Sequence, residues 1–344
     1  MANYLKVLAI ETSCDETAVA IVDSEKNIIA NNIHSQSDEH QKYSGVVPEI
    51  AARSHIRNLD RLVEATMQHA NLDYSEIDAV AATAGPGLIG GLIVGVTMAK
   101  AIADVAKKPF LAVNHLEGHA LVACLTDNVG FPFLLLLISG GHCQIVICRG
   151  LGQYQVLGST IDDALGEAFD KVAQMLGLAY PGGPAVEARA AEGDKGRFAL
   201  PRPIIRQRNL NFSFSGLKTA TRLLIDSLGE LSDQDINDIC AAFQLAVGDV
   251  LENRVHMALQ KLRSSCPQAK TLVISGGVAA NQYLRERLLK TAEDFNIEMV
   301  APPVGLCTDN AAMIGWVGIE KLKGDLIDDL SFAPKARWRL DSLA

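Results

Sequence analysis

The sequence predicts an α/β protein built from two similar lobes, and three observations support this fold class. Residues 5–10 and 18–22 are short apolar runs joined by a polar connector, which is typical of a β-hairpin. Residues 77–82, a turn at 84–87 and residues 92–105 follow the pattern strand, glycine turn, helix. Both patterns recur in the second half of the chain, so we expect a duplicated design.

In the second half, apolar runs at 133–138 and 144–148 enclose a Ser-Gly-Gly loop and predict a second hairpin. Residues 271–274 precede another Gly-Gly turn and a helical pattern, which repeats the strand–turn–helix unit. This half also carries an insertion at about 160–232 that has no counterpart in the first half. Insertions of that length usually carry function or disorder.

These patterns set the expected boundaries. We expect a first lobe at 1–112 and a second at 113–344, with the option that the last helix packs back on the first lobe. Residues 47–68 have apolar side chains at helical spacing and predict one or two amphipathic helices. Polar and glycine-rich turns facing a cleft between the lobes would suit a phosphate-bearing ligand.

Composition excludes several classes of protein. The chain has 344 residues, is 49% hydrophobic and carries a net charge of −9, which argues against a uniformly basic nucleic-acid-binding surface. Seven cysteines without a C-x-x-C pair favour a reduced, cytosolic protein over a disulfide framework. We find no export signal and no clean apolar run of about 20 residues, so we expect a cytoplasmic protein without a membrane span.

Residues 115–119, His-Leu-Glu-Gly-His, contain two imidazoles four positions apart. In a helix they lie on one face, one turn apart, which is a metal-ligand spacing. Glu117 is rotated by roughly 100° from the position of the base in the zinc-protease signature, so a protease mechanism lacks its base. Asp309 is the best candidate for a third ligand, and two His with one carboxylate leave positions open for substrate. The alternative is a pair of polar histidines on an amphipathic helix.

Eight motifs spread over nearly the whole chain resemble the family of bacterial tRNA N6-adenosine threonylcarbamoyltransferases. The motifs lie at residues 10–17, 45–49, 83–88, 115–119, 139–142, 166–171, 212–218 and 307–310. The family belongs to the superfamily of actin, hexokinase and the heat-shock ATPases. The resemblance therefore implies two duplicated actin-like (ribonuclease H-like) α/β lobes with an interdomain cleft and the insertion in the second lobe.

The resemblance also implies an activity, a cofactor and partners. The activity is transfer of a threonylcarbamoyl group from threonylcarbamoyl-AMP to N6 of adenosine 37 in tRNAs that read codons beginning with A, with release of AMP. The cofactor is one divalent metal ion per subunit held by His115, His119 and Asp309, with Fe²⁺ favoured and Zn²⁺ as the alternative. The partners are tRNA, an inactive pseudo-subunit paralogue that dimerises with the chain and an ATPase. We place the dimer contact in the helical region 47–68.

Substrate-binding residues follow from the resemblance position by position. The loop expected to approach the phosphate and carbamoyl groups contains Leu137, Ile138, Ser139, Gly140 and Gly141. Asp170 would accept hydrogen bonds from ribose hydroxyls, Gly183 would let adenosine pass close to the backbone, and Asn281 would contact the nucleoside. The alternatives are a helix-surface charge, a loop hinge and a helix N-cap, respectively.

Asp15 and Glu16 lie in the turn of the first hairpin and are the candidate catalytic residues. We expect Asp15 to orient the attacking amine or to take its proton. The alternative is an ordinary hairpin-turn residue, for which Asp is favoured.

Two groups of basic residues are candidates for RNA contact. Those in the insertion are Arg202, Arg206, Arg208, Lys218 and Arg222, and those at the C-terminus are Lys335, Arg337 and Arg339, which flank Trp338. They offer charge for phosphates and one stacking surface. The alternative is a solvated charged face.

Three rival functions remain open at this point. An ATP-dependent kinase or ATPase of the same superfamily would have the same duplicated fold, but it would hold Mg²⁺ mostly through oxygen rather than histidine. A metalloprotease is disfavoured by the position of Glu117. A non-enzymatic scaffold subunit is the third alternative.

Overall fold

The computed structural model describes residues 4–43 and 45–343, which form two compact units. Unit 1 comprises Met1–Val129, Leu151–Gln153 and Thr308–Ala344, and unit 2 comprises Gly130–Gly150 and Tyr154–Cys307. The expected lobe boundary at residue 112 lies inside unit 1. The helix that follows it packs against the last helix of the chain in the same unit, where a Cβ on Gly118 would lie 3.0 Å from Ile314 and Met313.

Ten strands in the described part of the chain form two five-stranded sheets. The strands are β1 (Lys6–Glu11), β2 (Glu16–Asp23), β3 (Ile28–Ser35), β4 (Ala79–Gly85), β5 (Phe110–Asn114), β6 (Phe133–Ile138), β7 (Cys143–Gly150), β8 (Gln153–Ser159), β9 (Thr271–Ser275) and β10 (Glu298–Val300). Their orders are β3-β2-β1-β4-β5 and β10-β9-β6-β7-β8. Because strands β6 to β10 repeat the order of β1 to β5, the duplication predicted from the sequence is confirmed.

Eleven α-helices within the described residues connect and cover these sheets. They are α1 (Ser37–Gln41), α2 (Pro48–Ala70), α3 (Ile89–Ala106), α4 (His115–Thr126), α5 (Leu165–Met175), α6 (Gly182–Ala190), α7 (Ser215–Leu228), α8 (Asp233–Ser265), α9 (Gln282–Glu293), α10 (Val304–Cys307) and α11 (Ala311–Lys323). The amphipathic stretch at 47–68 is one helix, α2.

The strand pairing places the ends of three strands of unit 1 at one edge. Strand β1 pairs with β2 in antiparallel fashion, and it pairs in parallel with β4, which in turn pairs in parallel with β5. Every residue of the central strand β4 and of the edge strand β5 is buried, so both strands are covered on both faces. The carboxyl ends of β1, β4 and β5 therefore meet, which is where open α/β sheets bind ligands.

The insertion at 160–232 is a folded part of unit 2. Its helices α5, α6 and α7 pack against the 33-residue helix α8, with Phe169, Phe212 and Leu217 fully buried in a common core. The sequence did not predict α8, since its apolar residues surround most of the helix rather than forming one stripe.

Among the described residues, one helix, α3, is long and apolar enough to cross a membrane by length and composition alone. Its Leu92, Val96 and Ala99 side chains are buried, and the Nζ atom of Lys100 donates to the carbonyl of Phe332 at 2.6 Å. A core helix of a soluble protein has the same composition, so this helix is weak evidence for a membrane protein.

Candidate metal centre and ligand-binding loops

Two asparagine N-caps position the candidate metal ligands of unit 1. Asn114 ends β5 and accepts the backbone N–H of Leu116 at 2.9 Å, so helix α4 begins at His115. Asn310 caps α11 by accepting the N–H of Met313 at 3.0 Å, which places Asp309 directly before that helix. Cap geometry thus fixes both chain segments that carry the ligands.

The structure brings His115, His119 and Asp309 together. The Oδ1 atom of Asp309 lies 3.1 Å from Nε2 of His119 and 3.5 Å from Nε2 of His115, and one ligand atom from each residue lies within 4.8 Å of the others. Ligands of a tetrahedral ion at about 2.1 Å are separated by roughly 3.4 Å, so these distances fit a divalent ion. The two imidazoles and one carboxylate also suit Fe²⁺ or Zn²⁺.

Glu11 stands behind His115 and was not singled out by the sequence. Its carboxylate is fully buried and accepts hydrogen bonds from the Thr83 hydroxyl at 2.5 Å and the Ser13 backbone N–H at 2.5 Å. Its Oε2 atom also lies 3.0 Å from Nδ1 of His115. The N–H at Nδ1 donates to this carboxylate, which leaves Nε2 of His115 free for a metal.

The charges at this site shift the pKa values of both partners. Burial alone would lower the pKa of His115, but the charges of Asp309 and Glu11 raise it to about 9. Burial alone would raise the pKa of Glu11, and the charge and hydrogen bond of His115 instead lower it. Without a metal, a protonated imidazole therefore bridges two carboxylates, and a divalent ion would replace that proton.

Glu117 lies on the same helix as the two histidines and hydrogen-bonds to the backbone. Its side chain is buried, and its Oε1 atom accepts the backbone N–H of Gly152 at 3.0 Å. This contact agrees with the expectation that Glu117 does not serve as the base of a zinc protease.

Small residues on α3 let the first hairpin turn approach closely. A Cβ on Gly91 would lie 2.2 Å from the Thr12 carbonyl oxygen, and one on Gly95 would lie 2.2 Å from the Thr12 hydroxyl. The backbone N–H of Leu88 donates to the Ser13 carbonyl at 2.7 Å. The glycines of the α3 sequence are therefore required by the position of the turn that carries Asp15.

Asp15 lies at the end of this turn and Glu16 is the first residue of β2, so the expectation that both lie in the turn holds for Asp15 alone; the two form a pair of neighbouring acids. Asp15 is buried, and its side chain hydrogen-bonds to the Glu16 carboxyl group. Burial, followed by the charge of Asp15, raises the pKa of Glu16 to about 9. Glu16 thus keeps its proton at neutral pH and donates a hydrogen bond to Asp15.

A buried histidine on α2, which the sequence also did not indicate, supports the same turn. The Nδ1 atom of His55 lies 2.8 Å from the Thr17 hydroxyl, and its Nε2 atom lies 3.0 Å from the Cys14 carbonyl oxygen. His55 is fully buried, and this desolvation lowers its pKa. A neutral imidazole therefore ties helix α2 to the residue before Asp15.

In unit 2, the Ser-Gly-Gly loop lies at the carboxyl end of β6. Ser139 closes the loop through its backbone bond to the His142 carbonyl at 2.8 Å, and Gly166 at the start of α5 donates to the Ser139 carbonyl at 3.1 Å. Gly140 and Gly141 are exposed, and a Cβ on either would meet nothing within 4 Å. No side chain of these two residues restricts the approach of a ligand to the loop.

Leu137 and Ile138 precede this loop within β6 and are fully buried. A ligand can meet these two predicted residues only through the backbone. A Cβ on Gly276, after β9, would lie 2.5 Å from the Ile138 carbonyl oxygen, so the second glycine turn packs directly on the first loop.

Asp170 and Gly183 lie beside the start of α6. The Oδ1 atom of Asp170 accepts the backbone N–H of Gly182 at 2.7 Å, while a Cβ on Gly183 would meet nothing within 4 Å. One oxygen of Asp170 is thus occupied by the helix terminus, and Gly183 faces open space next to it.

Asn281 is the N-cap of helix α9, which is the alternative that the sequence offered to a nucleoside contact. Its Oδ1 atom accepts the N–H of Leu284 at 2.9 Å, and its Nδ2 atom donates to Gln244 at 2.8 Å. A nucleoside contact through this side chain would have to replace one of these buried bonds.

Of the basic residues expected to contact RNA, some pair with carboxylates and others are exposed. Arg202 pairs with Asp249 at 2.6 Å, Lys218 pairs with Asp163, and Arg339 pairs with Asp341 at 2.7 Å. Trp338 packs against Phe332 with ring centroids 5.4 Å apart, and its face is covered by Lys335. Arg206, Arg208 and Arg222 remain exposed.

Comparison with known proteins gives a consistent family. Residues 27–316 match the family model described as TsaD, tRNA N6-adenosine threonylcarbamoyltransferase. Proteins of that description from Brucella suis and Brucella melitensis biotype 2 are 58% and 57% identical over 343 residues, covering 98% of this chain and 96% of theirs.

Two solved structures share the fold at low sequence identity. Component A of the (R)-2-hydroxyglutaryl-CoA dehydratase of Acidaminococcus fermentans aligns with a TM-score of 0.53 at 16% identity, over 93% of this chain and 99% of that one. Full-length HypF in its phosphate- and nucleotide-bound form aligns with a TM-score of 0.60 at 13% identity, over 94% of this chain and 56% of HypF. Both similarities concern the fold alone.

Proposed function

Because the chain belongs to the TsaD family of tRNA N6-adenosine threonylcarbamoyltransferases, we propose that it uses threonylcarbamoyl-AMP to modify N6 of adenosine 37. Transfer of a threonylcarbamoyl group to a tRNA adenosine is the activity of the family. The adenylate donor, the release of AMP and the choice of tRNAs that read codons beginning with A are our proposal. The observation that carries it is the convergence of His115, His119 and Asp309 in front of Glu11.

We assign the metal site to these three ligands, with Fe²⁺ favoured and Zn²⁺ as the alternative. A divalent ion held by these residues would supply Lewis-acid stabilisation for negative charge on the carbamoyl oxygen or the phosphate. Glu11 holds His115 in the tautomer that presents Nε2, and the N-caps of α4 and α11 hold the backbone on either side.

Asp15 is the group that we assign to the attacking amine. Its carboxylate would accept a hydrogen bond from N6 of adenosine and take the proton as the new bond forms. Glu16, which stays protonated, donates to Asp15 and limits the rotation of its carboxylate. His55 and the glycines of α3 hold the turn that carries Asp15 and leads into Glu16.

Unit 2 supplies the residues for the adenylate. The exposed loop at Gly140 and Gly141 suits a phosphate, since these residues have no side chain and a glycine N–H can face an anion. Asp170 would accept hydrogen bonds from ribose hydroxyls, and Gly183, which faces open space, leaves room for the nucleoside. Asn281 contributes to this site by capping α9 beside it.

We propose that the protein is cytoplasmic and acts with tRNA, an inactive pseudo-subunit paralogue and an ATPase. The contact with the pseudo-subunit is assigned to an apolar surface on α2 and α3. Ile56, Ile89 and Ile93 are 64%, 47% and 50% exposed, and the two helices that carry them are in contact where Gly90 of α3 packs on Ala52 of α2. Exposed apolar clusters of this kind mark protein contacts. Val63 on the same helix is buried in the core and would be an unsuitable place to test the contact.

The experiment that tests the function uses an unmodified tRNA transcript, synthetic threonylcarbamoyl-AMP and the proposed partners. Mass analysis of digested nucleosides should show threonylcarbamoyladenosine and an equal amount of AMP. Hydrolysis of ATP by this chain alone, with no modified nucleoside in the full assay, would instead favour a kinase or ATPase of the same fold. Modification that persists without this chain would favour a scaffold.

A further inference from the structure

Residues 195–225 differ in charge from the rest of the chain. They contain seven Lys or Arg residues and no Asp or Glu, although the whole chain carries a net charge of −9. Three of the seven, Arg197, Arg202 and Lys218, pair with carboxylates on other elements of unit 2. Arg206 and Arg208 are exposed and have no such partner within the described part of the chain.

The backbone that carries these two arginines is wrapped around a third arginine. Arg254 of α8 is fully buried, yet within the described residues no carboxylate pairs with it. Its guanidinium donates to the carbonyl oxygens of Ile204 at 2.5 Å, Asn211 at 2.8 Å and Gln207 at 3.4 Å. The loop formed by residues 204–211, hereafter the Arg254 loop, thus turns its carbonyl groups inward and leaves its side chains at 206–209 exposed.

The loop is held in a conformation that its own sequence disfavours. Ile204 has a φ of 50°, in the left-handed region that β-branched residues rarely adopt. The bond from Arg254 to the Ile204 carbonyl keeps it there, and the N–H of Gln207 donates back to the same carbonyl at 2.9 Å. Strain maintained by surrounding contacts is typical of functional loops.

We propose that the Arg254 loop is a phosphate-binding surface for the tRNA backbone, with Arg206 and Arg208 as the contacting groups and Arg254 as the residue that positions them. The exposed side chains Arg206, Gln207, Arg208 and Asn209 offer many N–H donors and no negative charge, which matches a polyphosphate chain. Ordering the loop beforehand lowers the entropy lost when the arginines bind. This inference rests on the proposed function, because that function makes tRNA the macromolecular substrate.

The test measures binding of an unmodified tRNA transcript to the full-length protein across salt concentrations. Each phosphate contact contributes about 0.7 to 0.9 to the slope of log affinity against log salt. The double variant Arg206→Ser with Arg208→Ser should flatten this slope by about 1.4 to 1.8. The matched control, Lys261→Ser with Lys290→Ser, removes two exposed cations of unit 2 outside the segment and should leave the slope unchanged.

A slope that is unchanged in the Arg206 and Arg208 variant, or that changes equally in the control, would overturn the proposal. Loss of binding to phosphatidylserine vesicles with an unchanged tRNA slope would assign the loop to a membrane and would also overturn it. Tight, loop-dependent tRNA binding without nucleoside modification would contradict the proposed function but would still support the Arg254 loop as an RNA-binding surface.

A second variant tests the role of Arg254 itself. Arg254→Lys keeps the charge but cannot reach all of these carbonyls, so we expect faster amide exchange at Gln207 and weaker tRNA binding with Arg206 and Arg208 still present. Faster exchange with unchanged tRNA affinity would refute the positioning role. If this variant does not fold, the double serine variant still decides whether the loop binds RNA.

Discussion

Replacing Glu11 with Gln tests how the buried carboxylate supports the metal site. The amide has nearly the same shape and can still accept from Ser13 or Thr83, but it removes the negative charge that lies 3.0 Å from Nδ1 of His115. Loss of such a partner typically weakens metal binding by about 10- to 100-fold, which corresponds to roughly 1.4 to 2.7 kcal/mol.

The pH of the measurement decides how much of this loss is visible. The charges of Asp309 and Glu11 raise the pKa of His115 to about 9, so protons compete with the metal below that pH. Removing one charge lowers the pKa of His115 and reduces the competition. We therefore expect the full loss near pH 9, a smaller loss at pH 7, and a shallower rise of affinity with pH in the variant.

The assay is competition between the metal-free protein and a chelator for Zn²⁺ at several pH values. Glu117→Gln is the matched control, because Glu117 is also buried and its Oε1 atom accepts the Gly152 N–H. This variant should bind Zn²⁺ like the unmodified protein. Thermal unfolding verifies that both variants are folded. Equal Zn²⁺ affinity of the two variants at pH 9 would refute the positioning role of Glu11.

Three further predictions concern the acid pair and the partner surface. Asp15→Asn should slow transfer by about 10²- to 10⁴-fold with metal content unchanged, and near-normal turnover would remove Asp15 from the chemistry. The pKa of Glu16 is raised to about 9 from its usual 4.5, so the stability linked to its proton is complete below pH 4.5 and is lost as pH rises through 9. Glu16→Gln should therefore raise the stability of the metal-free protein at pH 9 by roughly 1–2 kcal/mol, and an unchanged pH profile of unfolding would contradict this. Ile56→Asp should abolish co-elution with the pseudo-subunit, whereas Val105→Asp, at an 82% exposed position at the far end of α3, should not; persistent co-elution of the first variant would refute the surface.

Local sequence patterns predicted the parts of the fold that depend on neighbouring residues. Strand β6 has the predicted bounds, and both hairpins and both strand–turn–helix units are present because each is specified by residues that are close together in the sequence. Helix α8 was missed, since it is buried on several sides by elements distant in sequence.

The candidate site shows the same limit. The spacing of His115 and His119 is a local signal, but the partner of His115 is Glu11, which lies about one hundred residues away and is recognisable only as a charged residue at the end of a buried strand. Likewise, the sequence pattern gives no way to distinguish Arg202 and Lys218 from Arg206. Only the fold shows that the first two have carboxylate partners.

The central claim is that His115, His119 and Asp309 hold one divalent ion. X-ray absorption spectroscopy of the metal-loaded protein, with elemental analysis of the variant His115→Ala with His119→Ala, tests it most directly. We predict one ion per chain bound by two imidazole nitrogens and a carboxylate oxygen, and no bound ion in the double variant. One ion per chain retained by the double variant would contradict the claim.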